Sequence, residues 1–213
     1  MRATAEALSS DAIVRDLGRV EYAPTIEAMR LFTLNRDNAT PDELWLLEHP
    51  PVYTLGQGAN AAHGPRVDNG IPVVRCGRGG EITYHGPGQA VIYTLVDIAG
   101  HGLRVREFVT LLEASVIELL AEHGVRGAAR ADAPGVYVEG AKIAALGIRV
   151  TRGCAWHGLA LNVGMDLAPF EAIDPCGQAG LKVTQTRDLG IAATPSTLGR
   201  RLAEIISERI EHA

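Results

Sequence analysis

Apolar residues recur along this chain with two different periods, and their order predicts an α+β fold. Short runs that alternate or stay continuously apolar read as strands at residues 12–17 (AIVRDL), 44–47 (LWLL), 71–75, 90–96 (AVIYTLV) and 159–163 (LALNV). Residues 136–138 and 143–150 read as a hairpin closed near Glu139-Gly140. Helical spacing appears three times. In 24–36, Ile26, Ala28, Met29 and Phe32 recur, with Pro24 suited to a first turn. In 106–123, Phe108, Leu112, Val116, Leu119 and Leu120 line one face, and Gly124 stands where a C-terminal cap belongs. In 197–210, Leu198, Leu202, Ile205, Ile206 and Ile210 form an inner stripe. Strands outnumber helices and several are hairpin-linked, so the expectation is a mixed, mostly antiparallel sheet flanked by helices. Residues 56–70 read as a polar, glycine-rich loop, and residues 1–10 as loose.

Composition narrows the function classes. The 213 residues are 46% hydrophobic and 21% charged, which suits one domain spanning 1–213. A net charge of −5 argues against a nucleic-acid partner. No apolar run approaches the ~20 residues that cross a bilayer, which argues against a membrane partner. The first ten residues hold no apolar core of an export signal, so a cytoplasmic location is expected. Cys76, Cys154 and Cys176 are odd in number and widely spaced, which points to free thiols. Neither CxxC nor HxxxH occurs, so no metal site is expected. Of the 20 cationic side chains 18 are arginines, so Lys142 and Lys182 are the two candidates for a titrating amine.

Four segments could carry chemistry, and each has a plain alternative. Arg78-Gly79-Gly80-Glu81-Ile82-Thr83-Tyr84-His85-Gly86-Pro87-Gly88-Gln89 sets many hydrogen-bonding side chains beside a backbone that a ligand can approach closely, or is a long hairpin turn capping itself. It lacks the GK[ST] of a phosphate loop and the helix that follows a dinucleotide fingerprint. Cys176 lies in a turn between Pro175 and Gly177, exposed enough to react, or is an inert small residue. Lys142 opens the apolar stretch Ile143-Ala144-Ala145-Leu146-Gly147, where it could act as a base beside a thiol or snorkel from a strand edge. His157 opens Gly158-Leu159-Ala160-Leu161-Asn162, whose small residues leave room for a ligand, or is a satisfied structural histidine.

Taken together, these segments resemble the lipoyl(octanoyl) transferases. The family pattern of RGG, Thr, an aromatic, His, Gly-Pro-Gly-Gln and a strand ending in Tyr is met in RGGEITYHGPGQAVIY. The family's lysine, HGxAxN and Pro-Cys-Gly segments follow in order at Lys142 to Gly147, His157 to Asn162 and Pro175 to Gly177. The resemblance implies a fold like the catalytic domain of biotin and lipoate ligases. It implies Cys176 as the acyl-carrying nucleophile and Lys142 as its activating partner. Arg78, Gly79, Gly80, Glu81, Ile82, Thr83, Tyr84, His85, Ala145, Leu146, Gly147, Gly158, Leu159 and Ala160 are implied to line the substrate site. The implied donor is octanoyl-acyl carrier protein. The implied acceptors are the lipoyl domains of 2-oxoacid dehydrogenases and the glycine cleavage H protein.

That reading makes chemical sense. A thioester is already activated, so acyl transfer to sulfur and then to an amine needs no ATP and no cofactor. An apolar slot lined partly by Ala144, Ala145, Leu146, Leu159 and Ala160 is expected to select the acyl chain, and Arg75, Arg78, Arg149, Arg152 and Arg187 are candidates for local patches that meet acidic partners. The rival readings are an ATP-dependent lipoate or biotin ligase, an amidotransferase that moves the acyl group between proteins, and a non-catalytic acyl-carrier-binding module.

Overall fold

The computed structural model describes residues 4–7, 12–59, 64–174 and 180–213. Among these residues, eleven strands and three α-helices follow one another as β1 (Thr4–Ala7), β2 (Ile13–Arg19), α1 (Tyr22–Asn35), β3 (Glu43–Glu48), β4 (Val52–Leu55), β5 (Val73–Arg75), β6 (Ile82–His85), β7 (Gln89–Asp97), α2 (Val105–Glu122), β8 (Ala128–Ala129), β9 (Gly135–Val138), β10 (Ala141–Thr151), β11 (Cys154–Asn162) and α3 (Pro195–Glu211). The large sheet runs β1-β2-β3-β7-β11-β10-β9-β8 and the small one β5-β4-β6. Only the β2–β3 and β4–β5 pairs are parallel among those described, so the mixed, mostly antiparallel expectation matches the structure. The expected loose start does not hold at Thr4–Ala7, which pair antiparallel with β2.

Strand alternation divides the large sheet into two apolar faces. On β3 and β7, Leu44, Leu46, Ala90 and Ile92 face α2 and α3 and join Phe108, Leu112, Leu119, Leu202 and Ile206 in one core. The alternate residues Trp45, Leu47, Val91, Tyr93 and Leu95 face the other way and meet Met29 of α1. A strand covered on both sides reads as a continuous apolar run, and β7 does so. The buried face of α1 is Tyr22, Thr25, Met29 and Thr33, one step off the expected stripe, with Ala28 exposed.

The small sheet is where the sequence reading and the structure part. β4 was not foreseen, because four residues between Pro51 and Gly56 make too short a pattern to register. β6 lies inside the segment read as a glycine-rich turn. Its partner is β4, so its pairing is decided by residues some thirty positions upstream (Val52 opposite His85, Leu55 opposite Ile82). Tyr53, Leu55, Ile82 and Tyr84 build a second core with Met165, Phe170 and Ile173. A slot opens between this small sheet and the α1-side face of the large one. No helix among the described residues is long and apolar enough to cross a membrane.

Candidate active site

The slot is lined from both sheets. From the loop and β6 come Arg78, Gly80, Glu81, Ile82, Thr83 and His85. From the large sheet come Val91 and Tyr93, the β10 residues Lys142, Ala145, Leu146 and Gly147, and the β11 residues His157, Gly158, Leu159, Ala160 and Asn162. Tyr22, Phe170 and Val183 complete it. Two residues of the sequence-derived set turn elsewhere. Tyr84 alternates away from Thr83 and His85 and packs on Tyr53 and Phe170 in the second core. Gly79 instead joins the loop to β10, its amide donating to the Ile148 carbonyl at 2.9 Å. Ala144, expected in the slot, belongs with its neighbour Ile143 to the helix-side core, because the register of β10 against β9 shifts between Lys142 and Ala144 and breaks the simple alternation.

Lys142 is buried, with 4% of its surface exposed, which excludes a snorkelling edge lysine. Its Nζ donates to the Pro134 carbonyl at 2.9 Å and lies 5.4 Å from the Tyr137 ring centroid. The passage for this side chain depends on Gly135 (φ +142). A Cβ there would sit 2.5 Å from the lysine Cε. The backbone of Lys142 is clamped to the chain that follows residue 180. Its amide donates to the Lys182 carbonyl, its carbonyl accepts from the Thr184 amide, and it bridges Val183 in parallel.

Cys176, with its neighbours Pro175 and Gly177, lies outside the described residues. The described chain on either side approaches the slot. Phe170 lines it before that segment and Val183 after it. Arg66 holds the preceding stretch, donating to Asp174 Oδ1 at 2.7 Å and to the Glu171 carbonyl at 2.7 Å.

Hydrogen bonds join the motifs into one scaffold. His85 Nδ1 meets Gln89 Oε1 at 2.8 Å, Gln89 donates to Asn162 Oδ1 at 2.9 Å, and Asn162 donates to the Thr184 carbonyl at 3.0 Å. The Thr184 amide in turn donates to the Lys142 carbonyl, so the Gly-Pro-Gly-Gln, HGxAxN and lysine segments meet through three side chains and the backbone of Thr184 and Lys142. Arg78 is buried, its Nη2 donating to the carbonyl and Oγ1 of Thr54 at 2.7 and 2.8 Å. Burial lowers the pKa of His85 to about 3, and that of His49, which sits between the Val20 carbonyl and the Tyr93 hydroxyl, to about 4.

His157 stands apart. It adopts a left-handed backbone (φ +63) inside a strand, an unusual state for a residue with a side chain. Its ring stacks on Trp156 with centroids 4.6 Å apart, and neither ring nitrogen has a hydrogen-bond partner. The satisfied structural histidine is thereby ruled out. Sequence reasoning missed Tyr22, Val91, Tyr93, Phe170 and Val183 as slot residues. Tyr22 carries no motif, and only its position at the start of α1 brings it there.

The catalytic-domain model of lipoyl protein ligases A and B matches residues 21–202. An octanoyltransferase of Dechloromonas aromatica (strain RCB) is 54% identical over 93% of this chain and 97% of its own. The chain belongs to the octanoyltransferase family. It is an acyltransferase of protein lipoylation on the fold that octanoyltransferases share with the ligases. Lipoate-protein ligase A bound with ATP superposes with a TM-score of 0.73 at 14% identity, covering 91% of this chain and 83% of that one. The biotin protein ligase of Aquifex aeolicus in complex with biotin and ATP gives 0.61 at 14% identity, covering 93% and 70%. At such low identity these two speak for the fold alone, and they agree with the fold class expected from the sequence.

Proposed function

We propose that this octanoyltransferase moves the octanoyl group in two steps, with Cys176 as the intermediate carrier and Lys142 as the proton acceptor. The donor is octanoyl-acyl carrier protein. The acceptors are the target lysines of lipoyl domains in 2-oxoacid dehydrogenases and of the glycine cleavage H protein, and the reaction belongs to the cytoplasm. In the first step Lys142 takes the Cys176 thiol proton. The thiolate attacks the carrier thioester carbonyl, a new thioester forms on Cys176, and the carrier leaves as a thiol that takes up the proton. In the second step the acceptor's amine attacks that thioester. An amide bond forms, the bond to Cys176 breaks, and the amine's proton passes through Lys142 to the departing sulfur. The balance closes without ATP, because the incoming thioester is already activated.

The observation that supports this reading is a buried amine at one side of an apolar slot, clamped to the chain that follows the Cys176 segment. Octanoyl-carrier protein, mixed with the purified enzyme and no acceptor, should add one octanoyl mass to the enzyme. Peptide mapping should place it on Cys176, and Cys176→Ala should gain none. Label retained by Cys176→Ala, or found on another residue, refutes the assignment.

A further inference from the structure

The polar side chains on the lysine side of the slot are engaged, as the His85–Gln89–Asn162 chain shows. Tyr22, whose ring stacks on His85 with centroids 6.0 Å apart, and His157 differ. Tyr22 is 4% exposed and His157 1%, both line the slot, and the Tyr22 hydroxyl and both ring nitrogens of His157 lack a hydrogen-bond partner. Around the Tyr22 hydroxyl the group within hydrogen-bonding reach is the Cys76 thiol, a weak acceptor that itself donates to the Leu55 carbonyl at 3.4 Å, with Tyr93 and Arg78 also near. Buried polar groups find partners in folded proteins, and exceptions call for an explanation. A hydrocarbon tail cannot satisfy them.

The strand registers place these groups at a definite distance from the chemistry. The Lys142 amine leans against Gly135, which pairs with Ala145, which pairs with Ala160. Ala160 is thus two strand spacings from Gly135 and His157 lies three residues further along β11, so the ring is roughly 14 Å from the amine's side of the slot by strand spacing and rise, which leaves room for an extended medium-chain acyl group between them. The left-handed backbone at His157 sets its ring beside that of Trp156 and against the Tyr93 ring, 6.0 Å away edge-on, so the imidazole borders the slot. Burial and the neighbouring Arg78 and Arg149 keep it neutral, with its pKa lowered to about 3. A neutral imidazole offers one donor and one acceptor, and a phenol offers both.

We propose that Tyr22 and His157 form a hydrogen-bonding stop at the inner end of the acyl slot, which takes water or the terminal hydroxyl of an acyl chain and rejects an apolar chain longer than eight carbons. The stop rests on the octanoyl-transfer reading and adds the basis of chain-length choice. A purely steric wall excludes a methyl and a hydroxyl alike, whereas a polar stop distinguishes them.

The test uses four carrier-protein donors, octanoyl, nonanoyl, decanoyl and 8-hydroxyoctanoyl, with a lipoyl domain as acceptor and mass spectrometry of the product. Nonanoyl and 8-hydroxyoctanoyl have the same length and shape. The enzyme is expected to use 8-hydroxyoctanoyl at least tenfold better than nonanoyl in kcat/KM. Tyr22→Phe and His157→Phe should each reduce that ratio severalfold. The double variant should bring it to one or below while raising decanoyl use relative to octanoyl. Tyr22→Phe removes a single oxygen and keeps the ring, so the ratio is readable even where His157→Phe does not fold. Equal use of nonanoyl and 8-hydroxyoctanoyl by the unaltered enzyme, or ratios unmoved by Tyr22→Phe, overturns the stop and leaves octanoyl transfer standing. An unaltered enzyme that transfers no octanoyl group overturns both.

Discussion

At the scale of single residues, the amine of Lys142 offers the sharpest contrast. Arginine would keep the positive charge, but its guanidinium does not release a proton under working conditions. It is also broader than the space beside Gly135, where the lysine Cε already occupies the place of a Cβ. Lys142→Arg is therefore expected to lower kcat by about a hundredfold or more, the usual weight of a positioned base. Steady-state transfer measurements decide it, and turnover near that of the unaltered enzyme would remove the proton-accepting role. Lys142 was legible in the sequence because lysines are so scarce here. Tyr22 was not, since it reaches the slot only through the packing of α1 on β3, β7 and β11.

At the scale of elements, β11 concentrates the constraints. The sequence pattern marks it from Leu159, where the apolar alternation begins, but the strand starts at Cys154, five residues earlier. The added residues escape notice because Trp156, His157 and Gly158 break the alternation. Gly158 is required there for a reason no local pattern shows. A Cβ at this position would lie 2.1 Å from the Ile92 carbonyl oxygen of β7. Gly158→Ala should force the two strands apart and destabilise the protein by roughly 1–3 kcal/mol, in line with other overpacked sites. Urea unfolding checks this, and an unchanged midpoint would show that the strands yield freely. β6 teaches the complementary lesson. Its four residues sit in a glycine-rich segment, and they become a strand because β4 supplies the partner.

For the whole molecule, three buried histidines couple folding to acidity. His49, His85 and His157 have folded pKa values lowered by burial to about 4, 3 and 3. In the unfolded chain histidine titrates near 6.5, so below that pH the unfolded state binds protons that the folded state refuses. Stability is therefore complete above about pH 6.5 and declines as the pH falls toward 4, by up to about 1.4 kcal/mol per pH unit for each histidine. Urea midpoints at pH 7, 6 and 5 should fall in that order, and a flat series would contradict the burial of neutral rings. The three histidines border the same interior, since His49 packs edge-on to His85 and Tyr93 touches both His49 and His157. Acid should therefore loosen the slot along with the fold.

The sequence by itself determined the α+β class, the three helices, the continuous apolar runs of the central strands and the motifs that carry the family resemblance. These are written in local periodicity and in short runs of unusual residues, which need no knowledge of distant partners. The tertiary structure alone decided that two sheets, not one, enclose the slot, that Tyr84 and Ala144 turn away from it while Tyr22 and His157 turn in, and that Gly135 makes way for the lysine. Each of those outcomes depends on contacts between residues far apart in the chain, where register and close approach between strands decide which way a side chain faces.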